Sequence, residues 1–168
     1  MNNGQKHPRS ITIPDVEETE KLILKLKELS SFIIDTSSLI YMQKISVMKM
    51  VTKIYNIKAP LSVINEFGSC PEGITTVDIN LSADDDIIAC ADQFGLPVCS
   101  EDKRVLLHAS RDNIDYYNTI MILVSMRTKN IITKQEFGQY ITGLRSNAHY
   151  SNKVWDYAQK LIDTVDMV

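Results

Sequence analysis

Phe32-Ile33-Ile34-Asp35-Thr36-Ser37-Ser38 is the stretch on which the reading of this chain turns. An apolar run stops abruptly at an acid, and hydroxyl side chains follow. So short and unbroken a run suits a strand covered on both faces, as in a parallel sheet, where a half-exposed strand would alternate. The same grammar returns in Leu96-Pro97-Val98-Cys99-Ser100-Glu101-Asp102, a brief apolar segment and then a polar turn ending in an acid. Between the two, Ile57–Ala59 reads as a second short strand ahead of Pro60, and Ile74-Thr75-Thr76-Val77-Asp78-Ile79 has the β-branched content of a third. Ile114–Tyr117 reads as the last strand.

Helical patterns fill the intervals. Pro14 to Leu29 is one: proline suits a first helical position, Asp15, Glu17 and Glu18 sit where the helix dipole favours anions, and Val16, Ile23 and Leu26 form an apolar stripe. That stripe either docks on its own domain or meets a partner chain. Further helices are expected over Leu39–Tyr55 in one or two pieces and over Leu61–Phe67. Ser82 is the expected N-cap of a helix running through Phe94, with Gly95 as its terminator. More helices follow at 103–110, 119–127, 133–144 and 151–165, while residues 1–13 read as a polar arm. Strands alternating with helices imply crossover units. The expected fold is α/β, three layers with a central, mainly parallel sheet of four or five strands and an extra N-terminal helix. It is expected to be one domain spanning 14–168, with its core in 32–165.

At 168 residues the chain is long enough to bury a substantial core, and 44% hydrophobic with 23% charged residues is an ordinary globular balance. No apolar run approaches the roughly 18 residues of a membrane span, and the N-terminus lacks the charged-then-apolar pattern of a signal peptide. The expectation is a cytoplasmic protein without membrane association. Cys70, Cys90 and Cys99 are too scattered, and too far from His7, His108 and His149, for a disulfide framework or zinc site. A net charge of −3 argues against a simple nucleic-acid-binding module, which depends on excess Lys and Arg. Carboxylates clustered around a cation would account for part of that charge.

Ligands of parallel α/β sheets gather beyond the carboxyl ends of the strands, and both Asp35 and Asp102 fall there. Glu66 lies in the helix entered from the second strand, and Asp84 opens the helix after Ser82. Ile87, Ile88 and Ala91 lie three, four and seven residues beyond Asp84 and share its face, so packing of that face on the sheet would bring Asp84 to the strand ends. Asp85 and Asp86 would turn away by roughly 100° and 200°, which leaves Asp85 as a supplementary ligand. Hard ions such as Mg²⁺ and Mn²⁺ want oxygen donors of this kind, a few carboxylates completed by water and substrate phosphate. Singly, each acid also has a plainer role: Asp84 as a helix-dipole partner, Asp35 and Asp102 as turn residues, Glu66 as a solvated helix residue.

Taken in order, Asp-Thr-Ser-Ser after Phe-Ile-Ile, then Val63-Ile64-Asn65-Glu66, then Asp84-x-x-Ile87-Ile88-Ala89-x-Ala91, then Gly95-Leu-Pro-Val-Cys-Ser-Glu-Asp102, resemble the successive signatures of the PIN domain. The likeness runs from about residue 32 to 118 and more loosely to 165. It implies a metal-dependent ribonuclease using Mg²⁺ or Mn²⁺, often a toxin with an antitoxin partner or an RNA-processing factor, and often a dimer. By position, Asp35, Glu66, Asp84 and Asp102 would be both the catalytic and the metal-binding acids, Ser37 and Ser100 the supporting hydroxyls, and Asn118 a residue of the pocket rim. In-line hydrolysis leaving a 5′-phosphate and a 3′-hydroxyl is likewise what the resemblance implies.

Positive charge for an RNA substrate is expected from Lys44 and Lys49, in a stretch between Asp35 and Glu66 with no acid, and from Lys103 and Arg104 beside Asp102; the plainer reading is a solvated helix face. Tyr116 or Tyr117 could stack on a base, whereas Trp155 and Tyr157 fit a helix packed on the core. A haloacid-dehalogenase-type phosphatase would need a second Asp where Ser37 stands, a response-regulator receiver would need its acids in another order, and no Gly-rich phosphate loop is present. The competing reading is a PIN-like module that binds RNA or protein without cutting.

Overall fold

A computed structural model describes residues 16–79 and 83–167, and of residues 83–85 the backbone alone. The polar arm, Pro14, Asp15 and the Ser82 cap lie outside the described residues. Five strands carry the fold: β1 (Ser31–Ile34), β2 (Asn56–Pro60), β3 (Ile74–Val77), β4 (Val98–Cys99) and β5 (Tyr116–Tyr117). They form one sheet in the order β3-β2-β1-β4-β5, every neighbouring pair parallel. Nine described helices flank it in a three-layer α/β/α arrangement: α1 (Val16–Glu28), α2 (Thr36–Lys44), α3 (Met48–Ile54), α4 (Leu61–Phe67), α5 (Ala83–Phe94), α6 (Lys103–Arg111), α7 (Thr119–Thr128), α8 (Lys134–Asn147) and α9 (Asn152–Asp166).

β1 is the middle strand, and its sequence shows why. Phe32, Ile33 and Ile34 point to alternate faces, yet all three are fully buried, so both faces of the strand are covered. Each such side chain contributes about 1.5–3 kcal/mol by leaving water. The chain builds the sheet outward from β1 to β2 and β3, then returns to β4 on the other side of β1 and continues to β5. The order therefore reverses between β1 and β4, and a crevice opens where the connections leave those two strands in opposite directions.

Helix boundaries follow local chemistry. The long helical stretch after β1 does divide in two, turned by Ser46 in the left-handed region at φ 60°. α2 starts at Thr36, three residues earlier than the apolar pattern suggests, because the Asp35 side chain caps it by accepting from Thr36 N at 2.7 Å. α5 lays Ile87, Ile88 and Ala91 against β1, β2 and β4, as its apolar face requires. Gly95 closes α5 at φ 61°, a conformation that glycine adopts without strain. α1 docks on α7 and α9. Its Leu26 is fully buried, its Ile23 is half-buried, and Val16 is exposed. No described helix is long and apolar enough to cross a membrane.

Candidate active site

Each acid named from the sequence sits on an element that leaves the carboxyl edge of the sheet. Asp35 follows β1 and caps α2, Glu66 lies in α4, which leaves β2 directly, and Asp102 follows β4 and caps α6 by accepting from Arg104 N at 2.8 Å. The structure brings these three together around one cleft of about 160 Å³, lined also by Thr36, Ser37, Val63, Ile87, Arg104 and Val105. The cleft lies at the β1–β4 reversal, where the topology opens a crevice. The side chains of Asp84 and Asp85 lie outside the described residues; their backbone is in the first turn of α5, whose Ile87 reaches the cleft wall.

Of the three acids that line the cleft Asp35 is the most deeply set, 8% exposed, and its oxygens are held by donors on two strand ends. Oδ1 accepts from Thr36 N, while Oδ2 accepts from Ser37 Oγ at 2.9 Å and Ser100 Oγ at 2.6 Å. Ser100 Oγ also accepts from Asp102 N, and Ser37 Oγ accepts from Glu101 N, both at 3.0 Å. The two serines thus tie the turn after β4 to the carboxylate after β1. Burial raises the Asp35 pKa; the hydrogen bonds from Ser100, Ser37 and Thr36 oppose this, and the nearby Glu66 charge adds to it. The Asp102 pKa moves the other way. Slight desolvation would raise it, but the hydrogen bonds and charge of Arg104 outweigh that effect.

Two residues that the sequence reading did not single out belong to the same assembly. Thr36 Oγ1 donates to Glu66 Oε2 at 2.7 Å and so orients Glu66 from the first turn of α2. Glu101 is an acceptor hub: its carboxylate takes hydrogen bonds from Ser38 Oγ at 2.9 Å, Thr119 N at 2.8 Å, Thr119 Oγ1 at 2.5 Å and the Tyr150 hydroxyl. Burial and the Glu101 charge push the Tyr150 phenol far above its ordinary pKa, which keeps it a donor. Asp86 is 2% exposed, and its Oδ1 has no hydrogen-bond partner among the described residues. α5 is wedged among the sheet, α4 and α6, so burial extends beyond its apolar stripe to Asp86 and Cys90.

Other candidates stand apart from the cleft. Asn118 caps α7 through Met121 N at 3.0 Å and borders a small apolar gap beside Val154, Tyr157 and Leu161. Lys44 ends α2, its Nζ 6.0 Å from the Tyr41 ring centre, and Lys49 lies in α3. α3 feeds the amino end of β2, and its Thr52 lies against Gly73 just before β3, so α3 and Lys49 belong to the sheet edge opposite the cleft. Of the basic candidates Arg104 lines the cleft; Lys103 is exposed next to it. Tyr116 is exposed, Tyr117 is buried, and Trp155 and Tyr157 pack against the core.

Among the described residues, the side-chain groups of the cleft able to ligate a metal are carboxylate and hydroxyl oxygens, the set that suits Mg²⁺ or Mn²⁺ in preference to softer ions. Among the described residues no three Asp, Glu, His or Cys side chains are close enough to share one ion directly. The arrangement therefore fits a hard ion held by one or two carboxylates with water completing its shell, the ordinary manner of Mg²⁺. No protein-family model matches the chain, and neither a curated protein nor a solved structure matches it.

Proposed function

We propose that the protein is a divalent-metal-dependent endoribonuclease of the PIN type, working through Asp35, Glu66, Asp102 and, by sequence position, Asp84. The observation that supports this best is that acids from three separate elements, 31 and 36 residues apart in sequence, line one cleft at the sheet's reversal point. One or two of Asp35, Glu66 and Asp102 would hold Mg²⁺ or Mn²⁺ directly, with water completing its shell. When bound, the ion supplies Lewis-acid stabilisation of phosphate charge and lowers the pKa of a coordinated water. The protein's own contribution is orientation: Ser37 and Ser100 fix Asp35, Thr36 fixes Glu66, and the α6 cap fixes Asp102. A toxin or RNA-processing role, with an antitoxin or a second copy as partner, extends the same proposal.

The decisive measurement is incubation of labelled single-stranded RNA with Mn²⁺ or Mg²⁺, with and without EDTA, alongside Asp35→Asn. Cleavage that disappears with EDTA and in the variant, leaving 5′-phosphate and 3′-hydroxyl ends, is the expected result. A 2′,3′-cyclic phosphate would refute in-line hydrolysis by water. A second reading, an RNA- or protein-binding module that does not cut, is favoured by the separation of the described carboxylates; binding without EDTA-sensitive cleavage would select it.

A further inference from the structure

Arg104 is placed unlike the other basic residues. It lines the cleft with the acids, its Nη2 lies 3.2 Å from Asp102 Oδ2, and its own backbone N–H donates to Asp102 Oδ1. One residue therefore engages both oxygens of an acid that the nuclease reading assigns to a divalent ion. The Arg104 side chain is 80% exposed, and the backbone bond that caps α6 does not depend on its guanidinium. The Asp102 side chain is one-third exposed, open to solvent and to an incoming ion.

We propose that Arg104 is a built-in counter-cation of the cleft, competing with a divalent ion for the Asp102 carboxylate and so setting how much ion is needed to fill the site. This rests on the reading of the cleft as a divalent-ion site and adds to it a residue whose effect runs opposite to that of the acids. Losing an acid weakens ion binding; losing Arg104 strengthens it. An exposed pair of this kind is worth up to about one kilocalorie, so the expected competition is about two- to fivefold in affinity. It shrinks in high salt, which screens an exposed pair.

The test is isothermal titration of Mn²⁺ into the whole chain and into Arg104→Gln, Lys103→Gln, Asp102→Asn and the double variant Asp102→Asn/Arg104→Gln. Circular dichroism checks that each is folded. Arg104→Gln should bind Mn²⁺ about two- to fivefold tighter than wild type, Lys103→Gln should not, and the effect of Arg104→Gln should be smaller when Asp102→Asn is already present. Measurable binding by Arg104→Gln where wild type shows none would support the proposal equally. Equal affinity in wild type and Arg104→Gln would overturn it and leave the divalent-ion reading standing, as would equal tightening by Lys103→Gln, which would mark a general charge effect. Absence of Mn²⁺ binding in every variant would overturn both.

Discussion

Asp35 performs two jobs that pull against each other. As an N-cap and hydrogen-bond acceptor it helps the fold, but as a buried charge beside Glu66 it costs free energy. Its pKa is raised in the folded state, so just above the ordinary value of 3.8 the folded protein keeps a proton that the unfolded chain has released. The Asp35 contribution to metal-free stability should therefore fall as pH rises from 3.8 through that window, while Asp102, whose pKa is lowered, contributes in the opposite sense. The difference in urea unfolding between wild type and Asp35→Asn across acidic pH isolates the Asp35 part. Asparagine keeps the cap and an acceptor without the charge. Asp35→Asn should thus abolish cleavage yet melt at or above the wild-type temperature at pH 7 without metal; a clearly lower melting temperature would contradict the account. The positions of Asp35 and Asp102 were legible in the sequence because a residue that follows a buried strand has its place set by the strand. Thr36 and Glu101 were not legible, since their partners lie 30 residues away for Thr36 and 18, 49 and 63 away for Glu101. Glu101 next to Asp102 reads as one more solvated turn residue until the chain is folded. Lys44 and Lys49 illustrate the opposite limit, for charge in a sequence carries no sign of which edge of a sheet it will occupy.

At the level of elements, the turn between β4 and α6 is pinned on three sides. Ser100 bonds to Asp35, Glu101 gathers donors from α2, α7 and the segment before α9, and Asp102 caps α6. Tyr150→Phe removes one donor from Glu101 and should cost about 1.5–3 kcal/mol in urea unfolding, the range for hydrogen bonds to charged groups. It should also lower the cleavage rate, because the turn that carries Ser100 and Asp102 loosens. Unchanged stability would mean that the phenol is not a significant partner of Glu101. The last two helices are secured more locally. Thr133 and Glu136 form a reciprocal capping box at the start of α8, and Lys134 reaches Asp166 of α9 at 2.8 Å. Thr133→Ala should cost about 1 kcal/mol by the same assay. The box was readable only as a helix start near residue 133, whereas the link from Tyr150 to the cleft required the fold.

Over the whole molecule, the N-terminal helix is part of the same body as the sheet. Leu26 is buried against α7 and α9, its carbonyl accepts from Ser125 Oγ at 2.5 Å, and Ser125 in turn accepts from the Tyr55 hydroxyl at 2.8 Å. Leu26→Ala should destabilise by about 2–5 kcal/mol, whereas Leu24→Ala, at a side chain 62% exposed, should fall within about 0.5 kcal/mol of wild type. Similar losses at both positions would show that α1 is covered on its outer side as well. The position of β1 has a consequence for synthesis. Its two neighbours are β2, which follows within about 20 residues, and β4, which is translated more than 60 residues later. Until Val98 and Cys99 emerge, Phe32-Ile33-Ile34 presents a bare, wholly apolar margin that any other nascent copy can pair with. Ribosomal stalling or truncation near residue 95 should consequently yield aggregates retained by a holdase chaperone, while release beyond β5 should yield dispersed protein.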